Sequence, residues 1–134
     1  MANRISIQAG PVQAGPVQAG SVQMEGVLND TATAQMIWDA LPIDALANTW
    51  GDEIYFGIPV DAELENGQEV VELGDLGYWP LGQAFCIFFG PTPASRGPEI
   101  RPASAVTVIG KFQGSAAELK MVGSGARVVI DRLG

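Results

Sequence analysis

Residues 84–89 read Ala-Phe-Cys-Ile-Phe-Phe, the longest unbroken apolar run in the chain, set between Pro80-Leu81-Gly82 and Gly90-Pro91. A short apolar run of aromatic and β-branched residues bounded by glycine and proline is the signature of a strand rather than a helix. It is also far short of the roughly 20 residues a membrane helix needs, so no transmembrane segment is expected. Upstream, Gly74-Asp75-Leu76-Gly77 reads as a turn that feeds the aromatic pair Tyr78-Trp79. The remaining elements can be arranged around this stretch, Gly74 to Gly90.

From the start of the chain, Arg4 to Gln8 alternate with Ile5 and Ile7 on one face, the period of a half-buried strand. A repeat of period five follows: QAGPV from Gln8, QAGPV from Gln13, QAGSV from Gln18 and the diverging QMEGV from Gln23. Five is odd, so copies in one continuous strand would send their side chains to alternate faces, and the Gly-Pro pairs break strand pairing. The copies are also far shorter than a solenoid unit. The segment at about 8–22 is therefore read as an expanded hairpin connection, within one domain spanning 1–134, that leads to a second strand from Val22 to Leu28. Asp30 is placed as the N-cap of a helix whose Ala34, Ile37, Trp38 and Leu41 recur at i, i+3, i+4 and i+7 and which ends at Pro42.

Asp44 to Gly51 then leads into a strand from Glu53 to Val60, and a polar loop, Asp61 to Gly67, separates it from another at Glu69 to Leu73. Beyond the apolar strand lies a glycine- and proline-rich loop, Gly90 to Pro102, of the kind that carries function on a rigid scaffold. Ala105 to Phe112 is a strand, Ser115 and Glu118 form a capping box for a short helix to about Met121, and Ala126 to Leu133 supplies the last strand. The count is about eight short strands and two short helices. That pattern predicts a mainly β protein, a closed barrel with helices over its open ends, rather than a parallel α/β sheet.

Charge narrows the function. Lys and Arg total 7 against 15 Asp and Glu, a net charge of −8. No Lys or Arg occurs between Ile5 and Ser95, while Asp52, Glu53, Asp61, Glu63, Glu65, Glu69, Glu72 and Asp75 accumulate there. Such a surface repels phosphate backbones and anionic membranes, so neither nucleic acid nor a membrane is an expected partner. The acidic run reads as a solvated face; its spacing does not match an EF-hand loop. The N-terminal MANRISIQAGP shows neither a basic and apolar leader nor a cleavage site, and the single cysteine, Cys86, cannot form an internal disulfide, which together lead to the expectation of a cytoplasmic protein.

The sequence contains 0 histidines. Ser-His-Asp and Cys-His catalysis are excluded, as is the commonest transition-metal ligand, and neither a metal nor a cofactor is expected. Cys86, flanked by Phe85 and Ile87 with no basic neighbour, reads as an inert buried thiol.

Three segments in order, NTWGDEIYF from Asn48, EVVELGDLGYWPLGQAFCIFFGPTP from Glu69 and PASAVTVIGKF from Pro102, resemble the small prokaryotic cyclophilin-like family, atypical relatives of the peptidyl-prolyl isomerases. The likeness covers most of the chain apart from the five-residue repeats. It implies a closed eight-stranded barrel with two short capping helices. It does not imply isomerase activity, because the Phe-His-Arg signature whose arginine polarises the prolyl carbonyl in cyclophilins is missing.

The leading functional expectation is a binding module with a pocket for a small molecule or a peptide. Its expected walls are Trp50, Tyr55, Tyr78, Trp79 and Phe88, with Glu53, Arg101 and Ser104 as converging polar groups. Tyr78 and Trp79 are adjacent in an extended segment, so they point to opposite faces and one of them is expected inside the barrel. The alternative is a divergent prolyl isomerase with Arg101 or Arg96 as hydrogen-bond donor over a floor of Phe88 and Trp50. A third reading, a carboxylate hydrolase or lyase, needs Glu53 and Asp75 brought together by the fold. A homodimer is a further expectation, and by analogy with other cyclophilin-like barrels so is a role as a subunit of a partner enzyme.

Overall fold

In the computed structural model, which describes residues 3–10 and 22–133, the apolar run forms a strand, β7 (Ala84–Phe88), with all five residues buried. A strand with no polar alternation is one covered on both faces. Phe85, Ile87 and the following Phe89 enter the barrel core, while Ala84, Cys86 and Phe88 belong to a second apolar cluster. This second layer, outside the barrel wall, forms one side of the candidate site.

The other strands are β1 (Asn3–Ala9), β2 (Val22–Leu28), β3 (Ile43–Leu46), β4 (Asn48–Thr49), β5 (Glu53–Gly57), β6 (Asp75–Trp79), β8 (Thr107–Gln113) and β9 (Arg127–Arg132). Among the described residues they make one antiparallel sheet of nine strands in the order β3-β9-β1-β2-β8-β6-β7-β5-β4. The two edge strands are separated in sequence by Ala47 alone. β3 pairs with β9, β4 pairs with β5, and the Ala47 amide donates to the Ala126 carbonyl at 2.7 Å while the Ala47 carbonyl accepts from the Gly125 amide at 2.7 Å. One stretch of chain thus joins both edges of the sheet and nearly closes a barrel; counted as one strand, β3 and β4 bring the total to eight.

β1 and β2 form a hairpin in register from Asn3↔Leu28 to Ala9↔Val22. Ile5, Ile7 and Ala9 of β1, with Val22, Met24 and Leu28 of β2, face the core in strict alternation. The expected hairpin connection, most of the five-residue repeat, lies in residues 11–21, outside the described residues.

α1 (Ala32–Ala40) buries Ala34 and Ile37 in the barrel core, and α2 (Ala116–Leu119) buries Leu119 there. The cap of α1 is Thr31, not Asp30 as expected: the Thr31 hydroxyl accepts from the Ala34 amide at 3.1 Å. The hydroxyl one residue later sits over the third helical amide, which is the capping geometry. Glu65, distant in sequence, completes the cap by accepting from the amides of Ala32 and Thr33, both at 3.1 Å. These bonds hold its carboxyl below the usual carboxylate range.

Three further expectations are corrected. Glu69 to Leu73 is not a strand; its backbone forms one isolated bridge, Val71↔Ile100, with a second, Gln68↔Val106, just before it. Asp75-Leu76-Gly77 is not a turn but the first part of β6, paired on both sides. The acidic run is not uniformly solvated, since Glu53 and Asp75 are only 5% and 4% exposed. Asp75 Oδ2 accepts from the Glu72 amide at 2.8 Å, and Oδ1 pairs with Lys111 at 3.4 Å.

Tyr78 is fully buried inside the barrel, where its hydroxyl donates to the Val60 carbonyl at 2.7 Å and accepts from the Ala62 amide at 3.1 Å. Tyr78→Phe leaves both backbone groups short of a partner in an apolar setting, so it is expected to cost about 1–3 kcal/mol. Urea unfolding should show that loss, with faster hydrogen exchange at Ala62; an unchanged midpoint would mean that the hydroxyl contributes nothing net.

Candidate functional site

β5, β7 and β6 lie side by side, and alternation divides their side chains between two layers. Ile54 and Phe56 of β5 and Leu76 and Tyr78 of β6 point into the barrel. Glu53, Tyr55 and Trp79 fall on the outer face, over Phe88, Cys86 and Ala84 of β7. On that face the loop from Gly90 onward folds back over the wall. Its Ile100 carbonyl accepts from the Val71 amide, Gln68 and Val106 exchange two backbone hydrogen bonds, and Val71, Ile100 and Val106 join Phe88 in the second cluster. Ser95 Oγ accepts from the Thr92 amide at 3.0 Å and the Arg101 amide at 3.3 Å, which gives this glycine- and proline-rich loop one conformation without regular structure.

Between wall and loop lies a pocket of ≈ 210 Å³ lined by Trp50, Glu53, Tyr55, Trp79, Pro102, Ala103 and Val106. Trp50 is held by a tight turn in which its amide donates to the Glu53 carbonyl at 2.9 Å and its carbonyl accepts from the Glu53 amide at 3.2 Å. The Trp79 indole Nε1 donates to Ser104 Oγ at 2.6 Å. The Trp79 ring meets Tyr55 edge-on, centroids 6.5 Å apart and planes at 83°. Beneath Trp79 the helical turn Pro80–Gly82 brings Gly82 so close that a Cβ there would stand 2.5 Å from the indole carbons. The ring is thus pinned from three directions.

Glu53 is the one charged group in the lining. Burial raises its pKa from 4.5 to about 7, opposed by a contact with the Cys86 thiol from β7. Cys86 is itself pushed well above the ordinary thiol range by burial first and by the Glu53 charge second, so it remains a protonated, inert thiol. None of the ion pairs among the described residues includes Glu53.

Of the eight residues expected at a site, four line the pocket: Trp50, Glu53, Tyr55 and Trp79. Ser104 anchors one of them, and Phe88, fully buried, is the floor beneath rather than a wall. Tyr78 is a correction, since it points into the barrel core and its neighbour Trp79 takes the outer position. Arg101 is a second: its Nε pairs with Glu99 at 3.3 Å and it does not line the pocket. Asp75, the supposed partner of Glu53, stands on β6 with β7 between them and is committed to Lys111. Among the described residues no three His, Cys, Asp or Glu side chains gather as metal ligands, and no helix is long and apolar enough to cross a membrane. Sequence reasoning missed Pro102, Ala103 and Val106, small apolar residues that carry no chemical signal until the loop folds back.

The pocket therefore offers aromatic and apolar walls around a single carboxyl, an arrangement suited to holding a ligand rather than to two-group acid and base chemistry. A family model described as cyclophilin-like matches residues 16–131. The chain is similar to a hypothetical protein of Archaeoglobus fulgidus, whose solution structure shares 41% sequence identity across 98% of this chain and 95% of that chain with a TM-score of 0.76. No curated protein matches it. The nearly closed antiparallel barrel with its two short helices and the match along most of its length lead to one conclusion: the chain belongs to the cyclophilin-like family.

Proposed function

We propose that this protein is a binding module whose outer-wall pocket takes a small molecule or a side chain of a peptide. The observation that carries the reading is the Trp50, Tyr55 and Trp79 enclosure around the buried Glu53 carboxyl, roofed by Pro102 and Ala103. Preformed concave sites with apolar walls and few, well-placed polar groups are the usual form of a ligand site. Here the Trp79 ring is already fixed by Ser104, Tyr55 and the Pro80–Gly82 turn, so it needs little ordering on binding.

Native mass spectrometry of the freshly purified chain is expected to show a bound small molecule or peptide that dissociates on denaturation. Trp79→Ala removes the largest wall and should weaken retention by about tenfold or more, as loss of a buried aromatic anchor does. The reading is overturned if wild type carries no ligand and a fragment library leaves the indole signals of Trp50 and Trp79 unmoved. The divergent isomerase remains the alternative, but of the two arginines it could use, Arg101 is paired with Glu99 and neither Arg101 nor Arg96 lines the pocket. Prolyl turnover above background in a protease-coupled assay would favour it.

A further inference from the structure

Resting on the pocket reading above, we propose that the ligand carries an organic ammonium group, which enters between Trp50, Tyr55 and Trp79 and pairs with the Glu53 carboxylate. Glu53 is 5% exposed and lines the pocket, and none of the ion pairs among the described residues includes it. A buried carboxyl without a cation is costly, and a ligand cation is the partner the enclosure lacks.

The chain does not supply that cation from the pocket's own segments. No Lys or Arg occurs from Ile5 to Ser95, Arg101 on the roof loop is paired with Glu99, and Arg96 on the same loop does not line the pocket. The walls favour the same charge. Indole and phenol faces attract an ammonium through their ring quadrupoles, and enclosure strengthens that attraction by removing water. An anion would meet Glu53 and a net charge of −8. A bare metal ion would find one carboxylate where several oxygen ligands are needed.

A neutral ligand carbonyl would use Glu53 in the opposite way, as a protonated acid that donates a hydrogen bond. The two ligand types therefore differ in the sign of their pH dependence. With the Glu53 pKa near 7, an ammonium binds more tightly above neutrality and a carbonyl more tightly below it. The other titratable groups nearby are Cys86 from β7, held protonated, Tyr55 on the same strand and Asp52 before it in the chain. Trp50, Trp79, Pro102, Ala103 and Val106 contribute none.

The test uses the full chain with benzyltrimethylammonium, whose charge does not titrate, and with benzyl alcohol and benzamide as neutral probes, each followed by indole fluorescence and calorimetry. Benzyltrimethylammonium is expected to bind at least about tenfold more tightly than either neutral probe at pH 8. Its affinity should fall by about tenfold on going to pH 6, as the carboxylate is protonated. Glu53→Gln should abolish the pH dependence and reduce the preference to the part that the aromatic rings supply, with a circular dichroism spectrum like that of wild type showing that the variant is folded. Equal or tighter binding of the neutral probes, or affinity for the cation that rises at pH 6, overturns the ammonium assignment and leaves the pocket reading standing. Absence of binding by all three probes, together with no retained ligand in native mass spectrometry, overturns both. The wild-type pH dependence alone decides the matter should the variant not fold.

Discussion

Gly110→Ala is expected to unfold the barrel under conditions in which the wild-type chain is native. Gly110 lies within β8, opposite Leu28 of β2 on one side and Leu76 of β6 on the other. A Cβ there would stand 2.1 Å from the Val27 carbonyl oxygen and 3.0 Å from the Leu28 Cα. Both are backbone atoms of a paired strand, so neither can rotate away as a side chain would. Overpacking against side chains costs typically 1–3 kcal/mol. Here relief requires β2 and β8 to separate, and the cost is expected to reach about 4 kcal/mol or more, a large part of the 5–15 kcal/mol that stabilises an ordinary domain. Urea unfolding followed by circular dichroism and tryptophan fluorescence measures it. Gly123→Ala is the control, because a Cβ at Gly123 meets nothing within 4 Å and a change below about 1 kcal/mol is expected. An unchanged midpoint for Gly110→Ala would show that β2 and β8 are not so closely apposed.

The second large effect is the pH dependence of stability that Glu53 imposes. Its pKa is about 7 in the folded protein and 4.5 in the reference state, raised by burial. A carboxyl with a raised folded pKa binds more protons folded than unfolded between these values, so stability falls as pH rises through that window. The full stabilising contribution is present below about pH 4.5 and is lost by somewhat above pH 7. At about 1.4 kcal/mol per pKa unit the difference is of order 3 kcal/mol. Glu53→Gln does not titrate, so the stability of the variant relative to wild type should rise by about that amount between pH 4.5 and pH 8. Urea titrations of both proteins across this range measure it, and parallel curves would show that the carboxyl is already paired or solvated. A stability cost at neutral pH accords with the proposal that Glu53 belongs to a binding site.

Legibility in the sequence varied with how local the cause was. The alternation Ile5, Ile7 in β1 and the sequence boundaries of β2 were readable because one face meets the core and the other water. β6 was misread because Gly74-Asp75-Leu76-Gly77 carries turn chemistry, yet Asp75, Leu76, Gly77 and Tyr78 are all buried in the middle of the sheet. The supposed strand at Glu69 to Leu73 has strand composition but only bridge contacts, since the loop carrying Ile100 covers that position. β3 and β4 gave no signal of their own: closing a barrel depends on which two edges Ile43 to Thr49 can reach, and that distance is unreadable from composition.

The candidate site divides in the same manner. Trp50, Glu53, Tyr55 and Trp79 could be nominated from residue type and from their place at the junctions of strands and turns, and the need for Tyr78 and Trp79 to point apart follows from the pleat. Which of the two enters the barrel does not follow, because both faces of this wall are covered and both rings have apolar surroundings.

By itself the sequence determined the mainly β architecture, the apolar strand from Ala84 to Phe89 and the resemblance to the family, all of which rest on local periodicity and on residues in order. Only the tertiary structure decided that Glu53 would leave an apparently solvated acidic run and become the buried carboxyl of an aromatic pocket. The reason is that burial and pKa depend on what the loop from Gly90 to Val106 lays over the strand, and a chain of alternating side chains specifies two faces without saying what covers either.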